Sequence, residues 1–322
     1  MTVVPDSPVL AADAAVDLHL HTFASDGFWH PHDLIDYLAT RQFRVAAVCD
    51  HDSQKSVIAA RERATDRGIH LIPGVEMTCK WDNRPWHLLV YGIAPDNDTA
   101  EAKPLLDLVA YQERRNAEVA ADARLRVERS GRPLPAYPAH LNGPNVLPVH
   151  VLRTMIAQKH VATLKEAAEL VVALGGYFTT EVPLVDVVAA AHQAGGICVL
   201  AHPGRPDLGP VLDEPTLLRM LEVAPLDGLE TNYRTYTDAV TQEFRDLATR
   251  HGLLLSTGSD SHGPGQPVDP RPWHAAWSRD LLTRLGFTVD ASTGPDWQPG
   301  TDPDVAPPPQ EPEAESTGQA DA

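Results

Sequence analysis

Apolar and polar residues alternate along Val16-Asp17-Leu18-His19-Leu20-His21, with Val16, Leu18 and Leu20 on one side and Asp17, His19 and His21 on the other. A period of two is the period of a β-strand. Further strand-like apolar runs follow at 45–49, 69–77, 86–93, 197–201, 228–232 and 253–257. Helix-like runs lie between most of them: 32–41, opened by Pro31; 56–67, closed by Gly68; 184–193, stopped at Gly195-Gly196; 215–223; and 237–250. Pro just inside a helix start and Gly just past its end are the expected punctuation. About seven strands separated by helices predict an α/β fold built on a parallel sheet or barrel, with the site at the strand C-terminal ends.

The middle of the chain breaks this rhythm. Residues 101–129 read as a long polar helix, and 164–174 as a second helix closed by Gly175-Gly176. We therefore expect a catalytic domain over 15–290 carrying a helical insertion at about 99–178. A last helix is expected near 279–285. From 291 to 322 the chain is acidic and rich in Pro, Gly and Ser, a composition that predicts disorder.

Composition narrows the function. The chain has 322 residues, 43% of them hydrophobic and 22% charged, which suits a sizeable core. No apolar run of about 18 residues predicts a membrane span, and no signal peptide is evident at the start. The formal charge of −18 disfavours a broad basic surface for long nucleic acid, though not a small anionic substrate. Cys49, Cys79 and Cys198 lie in or beside strand-like runs without Cys-x-x-Cys spacing, and read as free thiols of a cytoplasmic protein.

His19 and His21 project from one face, about 7 Å apart along the strand. Alone, they are equally a pair of solvated histidines. Further His and acidic residues recur beside other strands: Asp26, His51, Glu76, His87, His202, Asp260 and His262. Six of the fifteen histidines belong to this set of nine. Imidazole mixed with carboxylate suits zinc, manganese or iron, and the absence of Cys argues against a structural zinc finger. Glu76 is the candidate bridge between ions, because carboxylates bridge readily. Asp17, Asp50 and Asp52 flank the histidines and are candidates to fix their tautomers. Trp81 and Trp86 read as core or rim positions on which a base could stack.

The motifs DLHLHTFASDG, CDHD, GVEM, WHLL, LAHPGR and GSDSHG, in that order, resemble the polymerase-and-histidinol-phosphatase (PHP) family of metal-dependent phosphoesterases. The resemblance covers about 15–95 and 180–265. It implies a distorted seven-stranded (β/α)7 barrel and three divalent ions, Mn2+ foremost, with Zn2+ or Fe2+ as alternatives. It groups His19, His21, Glu76 and Asp260 on one ion; Glu76, His87 and His202 on a second; and Asp26, His51 and His262 on a third. Hydrolysis by a metal-activated hydroxide follows, with Glu76, His202, Arg205 and Asp260 as catalytic candidates. The layout is most similar to the branch that removes the 3′-phosphate from nucleoside 3′,5′-bisphosphates. There the stretch matching Leu147-Pro148-Val149-His150 carries a phosphate-contacting Arg where this chain has Pro148. Arg153, one helical turn on, is the candidate substitute. Arg205 and Asn232 are further substrate-binding candidates. A 5′–3′ exonuclease on short oligonucleotides, a histidinol-phosphate phosphatase and a non-catalytic metal-binding module remain the alternatives. The oligomeric state is left open.

Overall fold

The strand predicted at 16–20 forms over Ala15–Leu20, and the other six predicted strands form at their expected places. The computed structural model describes residues 7–136, 144–206, 209–290 and 296–303. In chain order the elements are β1 (Val9–Leu10), β2 (Ala15–Leu20), α1 (Pro31–Thr40), β3 (Val45–Val48), α2 (Val57–Arg67), β4 (His70–Trp81) and β5 (Arg84–Tyr91). Three helices follow: α3 (Lys103–Arg129), α4 (Pro148–Ala157) and α5 (Leu164–Ala173). The alternation then resumes with β6 (Val182–Pro183), α6 (Leu184–Gln193), β7 (Ile197–Leu200), α7 (Glu214–Val223), β8 (Gly228–Tyr233), α8 (Asp238–Arg250) and β9 (Leu254–Gly258). The elements β10 (Trp273–His274), α9 (Arg279–Arg284) and β11 (Thr288–Val289) come last.

Among the described residues the main sheet has nine strands, in the order β10-β2-β3-β4-β5-β7-β8-β9, with β6 also paired to β4. The seven longer strands are those read from the sequence; the two extra ones, β6 and β10, are two-residue pairings too short to leave a periodic signal. The sheet curls until its ends nearly meet. An isolated bridge joins Leu20 to Ser261, and Asp260 N–H donates to His19 O at 2.8 Å. The outer edge of β2 is thus divided: its start pairs with β10 and its end with the segment just after β9.

One strand corrects the parallel expectation. β5 runs antiparallel to both β4 and β7. The two-residue turn Asp82-Asn83, with φ of 50° and 58°, leaves no room for a crossover helix, so β5 folds straight back on β4. The ladder between them continues to Trp81 and Arg84, which carries β4 past the expected end at 77. This reversal positions chemistry: His87, near the start of β5, lies beside the C-terminal ends of the parallel strands.

Apolar side chains pack in four groups. One joins β4, β5 and β7 to α6, α7 and α8. A second includes Leu18, Tyr91, Val199, Trp273 and Trp277. A third lies under α1 and α2. The fourth belongs to the three helices between β5 and β6: Ala120, Ala123 and Val127 of α3 pack on Val151 and Met155 of α4 and Val171 of α5. Within the segment expected to be disordered, residues 296–303 lie against the body. Trp297 is buried there and donates to Asp302 Oδ1 at 2.6 Å, while Gly300 N–H donates to Asp238 Oδ2 at 2.8 Å. A burial site for one indole outweighs the polar composition locally. The remainder of that segment lies outside the described residues. No helix among the described residues is long and apolar enough to cross a membrane.

Candidate metal centre

Glu76 lies at the middle of the centre and is fully buried. A bridge between His51 and Glu76 extends the β3–β4 pairing, which sets the carboxylate level with the loop after β3. Its Oε1 is 3.0 Å from His87 Nδ1 and 2.9 Å from His202 Nε2. Its Oε2 is 3.1 Å from His19 Nε2, 3.2 Å from His21 Nε2 and 3.1 Å from His51 Nδ1. Five imidazoles therefore meet one carboxylate. Asp260 Oδ1 stands 3.0 Å from His21 Nε2, and Asp26 Oδ1 stands 3.1 Å from His262 Nε2. All nine residues singled out from the sequence are brought together.

Their atoms form three overlapping groups, each with donors within 4.8 Å of one another: His19, His21, Glu76 and Asp260; His51, Glu76 and His87; and His21, Asp26, His51 and His262. Several contacts make poor hydrogen bonds and good ligand pairs. His19 Nε2 and His21 Nε2 stand 3.0 Å apart, as do donors that share one ion with bonds of about 2.0–2.1 Å. Asp26 Oδ1, Glu76 Oε2 and Asp260 Oδ1 are buried without a hydrogen-bond partner, although buried carboxylate oxygens rarely go unsatisfied. One such oxygen lies in or beside each group, so the residues fit divalent cations.

The charges are strongly coupled. Burial disfavours protonated His19 and His21, yet the surrounding carboxylates hold His19 well above its ordinary pKa and His21 at about 9. Burial wins at His51, which is pushed down to about 3, and at His202, which is also lowered. Burial would raise Asp26, Glu76 and Asp260, but neighbouring imidazoles, joined by Arg153 at Asp26 and Arg234 at Asp260, keep all three well below the carboxylate range. A pocket that retains protons on some imidazoles to offset its acids is one in which cations can replace those protons.

The backbone bends to aim the ligands. His202 and Asp260 hold positive φ values of 32° and 51°, and each directly follows or closely follows a strand end. Such conformations persist only where surrounding structure enforces them. Here His202 N–H donates to Glu230 Oε2 at 2.7 Å, and Tyr233 Oη donates to Asp260 Oδ2 at 2.7 Å.

Glu230 was not singled out from the sequence, where GLETN reads only as a strand. It is fully buried, and its Oε1 lies 3.0 Å from His19 Nδ1. That contact favours a proton on Nδ1 and turns Nε2 toward the cluster. An acid in mid-strand between apolar runs was the available signal. The three flanking acids have a different role from the one expected. Asp17 accepts from Ser259 N–H and Arg271 N–H, both at 3.0 Å. Asp50 accepts from Thr22 N–H at 2.6 Å, Ser25 Oγ at 2.7 Å and the Ser56 hydroxyl. Asp52 accepts from Thr78 N–H at 2.7 Å and Asn116 Nδ2 at 3.0 Å. They fasten loops rather than imidazole tautomers, because main-chain donors reach them first.

The cluster opens into a cavity of about 660 Å³ whose walls include Arg205 and Arg234 on one side and Pro148, Arg153, Leu164 and Phe178 from the helical insertion on the other. Arg205 reaches this cavity and lies 3.6 Å from Asp260 Oδ2. Arg153 also lines it, but its guanidinium grips Asp26, donating to Asp26 O at 2.6 Å and Oδ2 at 3.0 Å. Asn232 does not reach the cavity: it is fully buried, and its Oδ1 accepts from Arg245 at 2.9 Å. A register shift between Glu230 and Asn232 breaks the alternation that would have set both on the site face.

No family model matches the chain. It is 30% identical over 259 residues to the 3′,5′-nucleoside bisphosphate phosphatase of Chromobacterium violaceum, an alignment that spans 79% of this chain and 89% of that protein. It is 32% identical over 260 residues to the 5′-3′ exoribonuclease Rnm of Salmonella typhimurium, spanning 77% of this chain and 85% of that one. Its fold matches a structure assigned as a metal-dependent phosphoesterase from Bifidobacterium adolescentis with a TM-score of 0.69 and 25% identity, over 89% of this chain and 99% of the other. With these relatives, the ordered motifs and the converged donors, the chain belongs to the PHP family of metal-dependent phosphoesterases.

Proposed function

We propose that this protein removes the 3′-phosphate from a small nucleoside 3′,5′-bisphosphate. The observation that carries the reading is the convergence of nine His and acidic side chains on one cavity wall, with three carboxylate oxygens left unbonded. We assign three divalent ions, manganese first: one to His19, His21, Glu76 and Asp260, one to Glu76, His87 and His202, and one to Asp26, His51 and His262. Such ions polarise phosphoryl oxygens and make water nucleophilic at neutral pH. Glu76 would be shared by the first two sites. Glu230 orients His19, and Tyr233 and Arg234 orient Asp260. Arg205, beside the ligand His202, grips the phosphate as it gains charge in the transition state.

The remaining features support a small nucleotide. A cavity of about 660 Å³ lies in the usual size range for small-molecule sites. We read the helical insertion, about 99–178, as a cap that supplies apolar surface for a base through Leu147, Pro148, Leu164 and Phe178. We read the seven longer strands as the family's (β/α)7 barrel, and three buried free thiols as suited to the cytoplasm. The relative named a bisphosphate phosphatase favours this substrate. The relative named an exoribonuclease favours a second reading, 5′–3′ trimming of short oligonucleotides.

A phosphate-release assay with Mn2+ separates the readings. We expect preferential release from adenosine 3′,5′-bisphosphate over histidinol phosphate and a simple monoester. Nucleotide laddering from a 5′-phosphorylated oligomer, without release from the bisphosphate, would replace the first reading with the second. Glu76→Gln should reduce turnover by at least about a hundredfold, as expected when a ligand shared between ions loses its charge. Turnover close to wild type in that variant would refute the bridging role.

A further inference from the structure

The turn that follows β8 carries none of the nine donors, yet it reaches the loops on both sides of it. Tyr236 N–H donates back to Tyr233 O at 3.0 Å and closes the turn. Toward the loop after β9, Tyr233 Oη donates to Asp260 Oδ2 at 2.7 Å, and Arg234 Nη1 donates to Asp260 O at 2.7 Å and Ser259 O at 3.1 Å. Toward the loop after β7, Tyr236 Oη accepts from Gly204 N–H at 2.5 Å. The Tyr236 ring stacks on Phe244 with centroids 5.5 Å apart and lies 5.3 Å from the Tyr233 ring.

The loop after β7, His202-Pro203-Gly204-Arg205, holds a proposed metal ligand at one end and the proposed phosphate-gripping arginine at the other. Its start is strained, with a φ of 32° at His202, and such a backbone keeps its shape only where contacts enforce it. His202 N–H donates to Glu230 Oε2 at 2.7 Å, Gly204 N–H to Tyr236, and Arg205 N–H back to His202 O at 3.1 Å. Pro203 has no N–H to offer. The Tyr236 contact is thus the one N–H bond that ties the middle of the loop to another element. The approach is close as well. A Cβ at Gly204 would stand 2.6 Å from Phe244 Cε2 and 2.9 Å from Tyr236 Cε1, so glycine lets the loop settle on these rings. Tyr236 is not among the residues lining the cavity, so its effect on the reaction passes through the loop. Burial raises the phenol above its ordinary pKa, and it serves as a neutral acceptor.

We propose that Tyr236 is a positioning residue for the phosphoesterase reaction. Its hydroxyl fixes Gly204, and with it the places of His202, 2.9 Å from Glu76 Oε1, and of the Arg205 guanidinium, 3.6 Å from Asp260 Oδ2. Because Tyr233 and Arg234 hold Asp260 from the same turn, that turn sets the spacing between the two loops. The inference rests on the phosphoesterase reading of the metal centre and adds to it a group that substrate does not touch.

The test uses Tyr236→Phe in the full chain, which keeps the ring between Tyr233 and Phe244 and removes the acceptor. The first readout needs no turnover. In a competition titration with a chromogenic chelator, Mn2+ affinity should fall about tenfold, as when a partner behind a metal ligand is lost. Affinity equal to that of the parent would overturn the proposal. The second readout is a double-mutant cycle with Arg205→Gln on adenosine 3′,5′-bisphosphate at saturating Mn2+. Tyr236→Phe should lower kcat/KM about tenfold in the parent and less than about twofold once Arg205 is replaced, because residues that act through one another do not add. A merely structural tyrosine would cost the same in both backgrounds, and that result would refute the role. Should the parent release no phosphate from the bisphosphate, the substrate reading fails while the metal titration still decides on Tyr236.

Discussion

Glu230 lies behind His19, on the side away from the cluster, and does two things with one carboxylate. It accepts from the His19 ring and from the His202 main chain, so two of the proposed metal ligands depend on it. Glu230→Gln keeps an acceptor for the main-chain N–H and loses the charge that favours a basic His19. We expect metal affinity to fall about 10–100-fold, the usual effect of removing a partner behind a ligating histidine. A competition titration with a chromogenic chelator measures this, and unchanged affinity would dismiss the orienting role. At this scale the sequence displayed the ligands, because His and acids recurred beside apolar runs. It did not display their supports. Glu230 looks like an ordinary strand residue and Tyr233 like one just past the strand end, until the bulge in β8 turns one toward His19 and the other toward Asp260. Asn232 misled for the same reason.

The contact between α4 and the loop after β2 works at the scale of elements. His150 is buried, its Nδ1 accepts from Leu147 N–H at 3.2 Å, and its Nε2–H donates to Ser25 O at 3.1 Å. Three residues on, Arg153 grips Asp26. One helix turn thus fastens the insertion to a loop carrying a ligand. Burial lowers the His150 pKa from 6.5, so the folded chain takes up this proton less readily than the unfolded chain. The stability this group contributes is complete above pH 6.5 and is lost as pH falls below it. Urea unfolding of metal-free protein between about pH 5 and pH 8 should show a steeper acid-side decline in the parent than in His150→Asn. Parallel declines would remove His150 as the cause. The helices themselves were legible from their periodicity and their Pro and Gly boundaries. The direction of β5 was not, since apolar patterning fixes a strand's faces and says nothing of its polarity. In sequence, 78–85 lay between the two strands, and the turn at Asp82-Asn83 that reverses the chain emerges only from the structure.

For the whole molecule, the weak place is the seam between β2 and β9. One bridge, Leu20 to Ser261, and a few main-chain bonds close it. The proposed ligands His19, His21 and Asp260 stand across the same seam. Ions bound there would hold the two edges together, so the folded state would gain stability by mass action on binding them. Hydrogen exchange at the His21 and Asp260 amides, which donate across the seam, should quicken on chelation while the β4–β5 ladder stays protected. Equal protection with and without ions would show a seam that closes unaided. The strand count allowed a sheet or a barrel, and which residues meet at the seam depends on register, which alternation alone leaves open. The ordering of residues 296–303 was hidden as well, because one buried indole in a polar stretch leaves no periodic trace.

The donors run from His19 to His262, and the first and last thirds of the chain each hold part of the set. Because a ribosome releases the amino-terminal end first, the β2 histidines emerge long before their β9 counterparts exist. Completion of the site is therefore a late event in biogenesis, and a nascent polypeptide arrested before Asp260 should be unable to retain the full complement of ions proposed here.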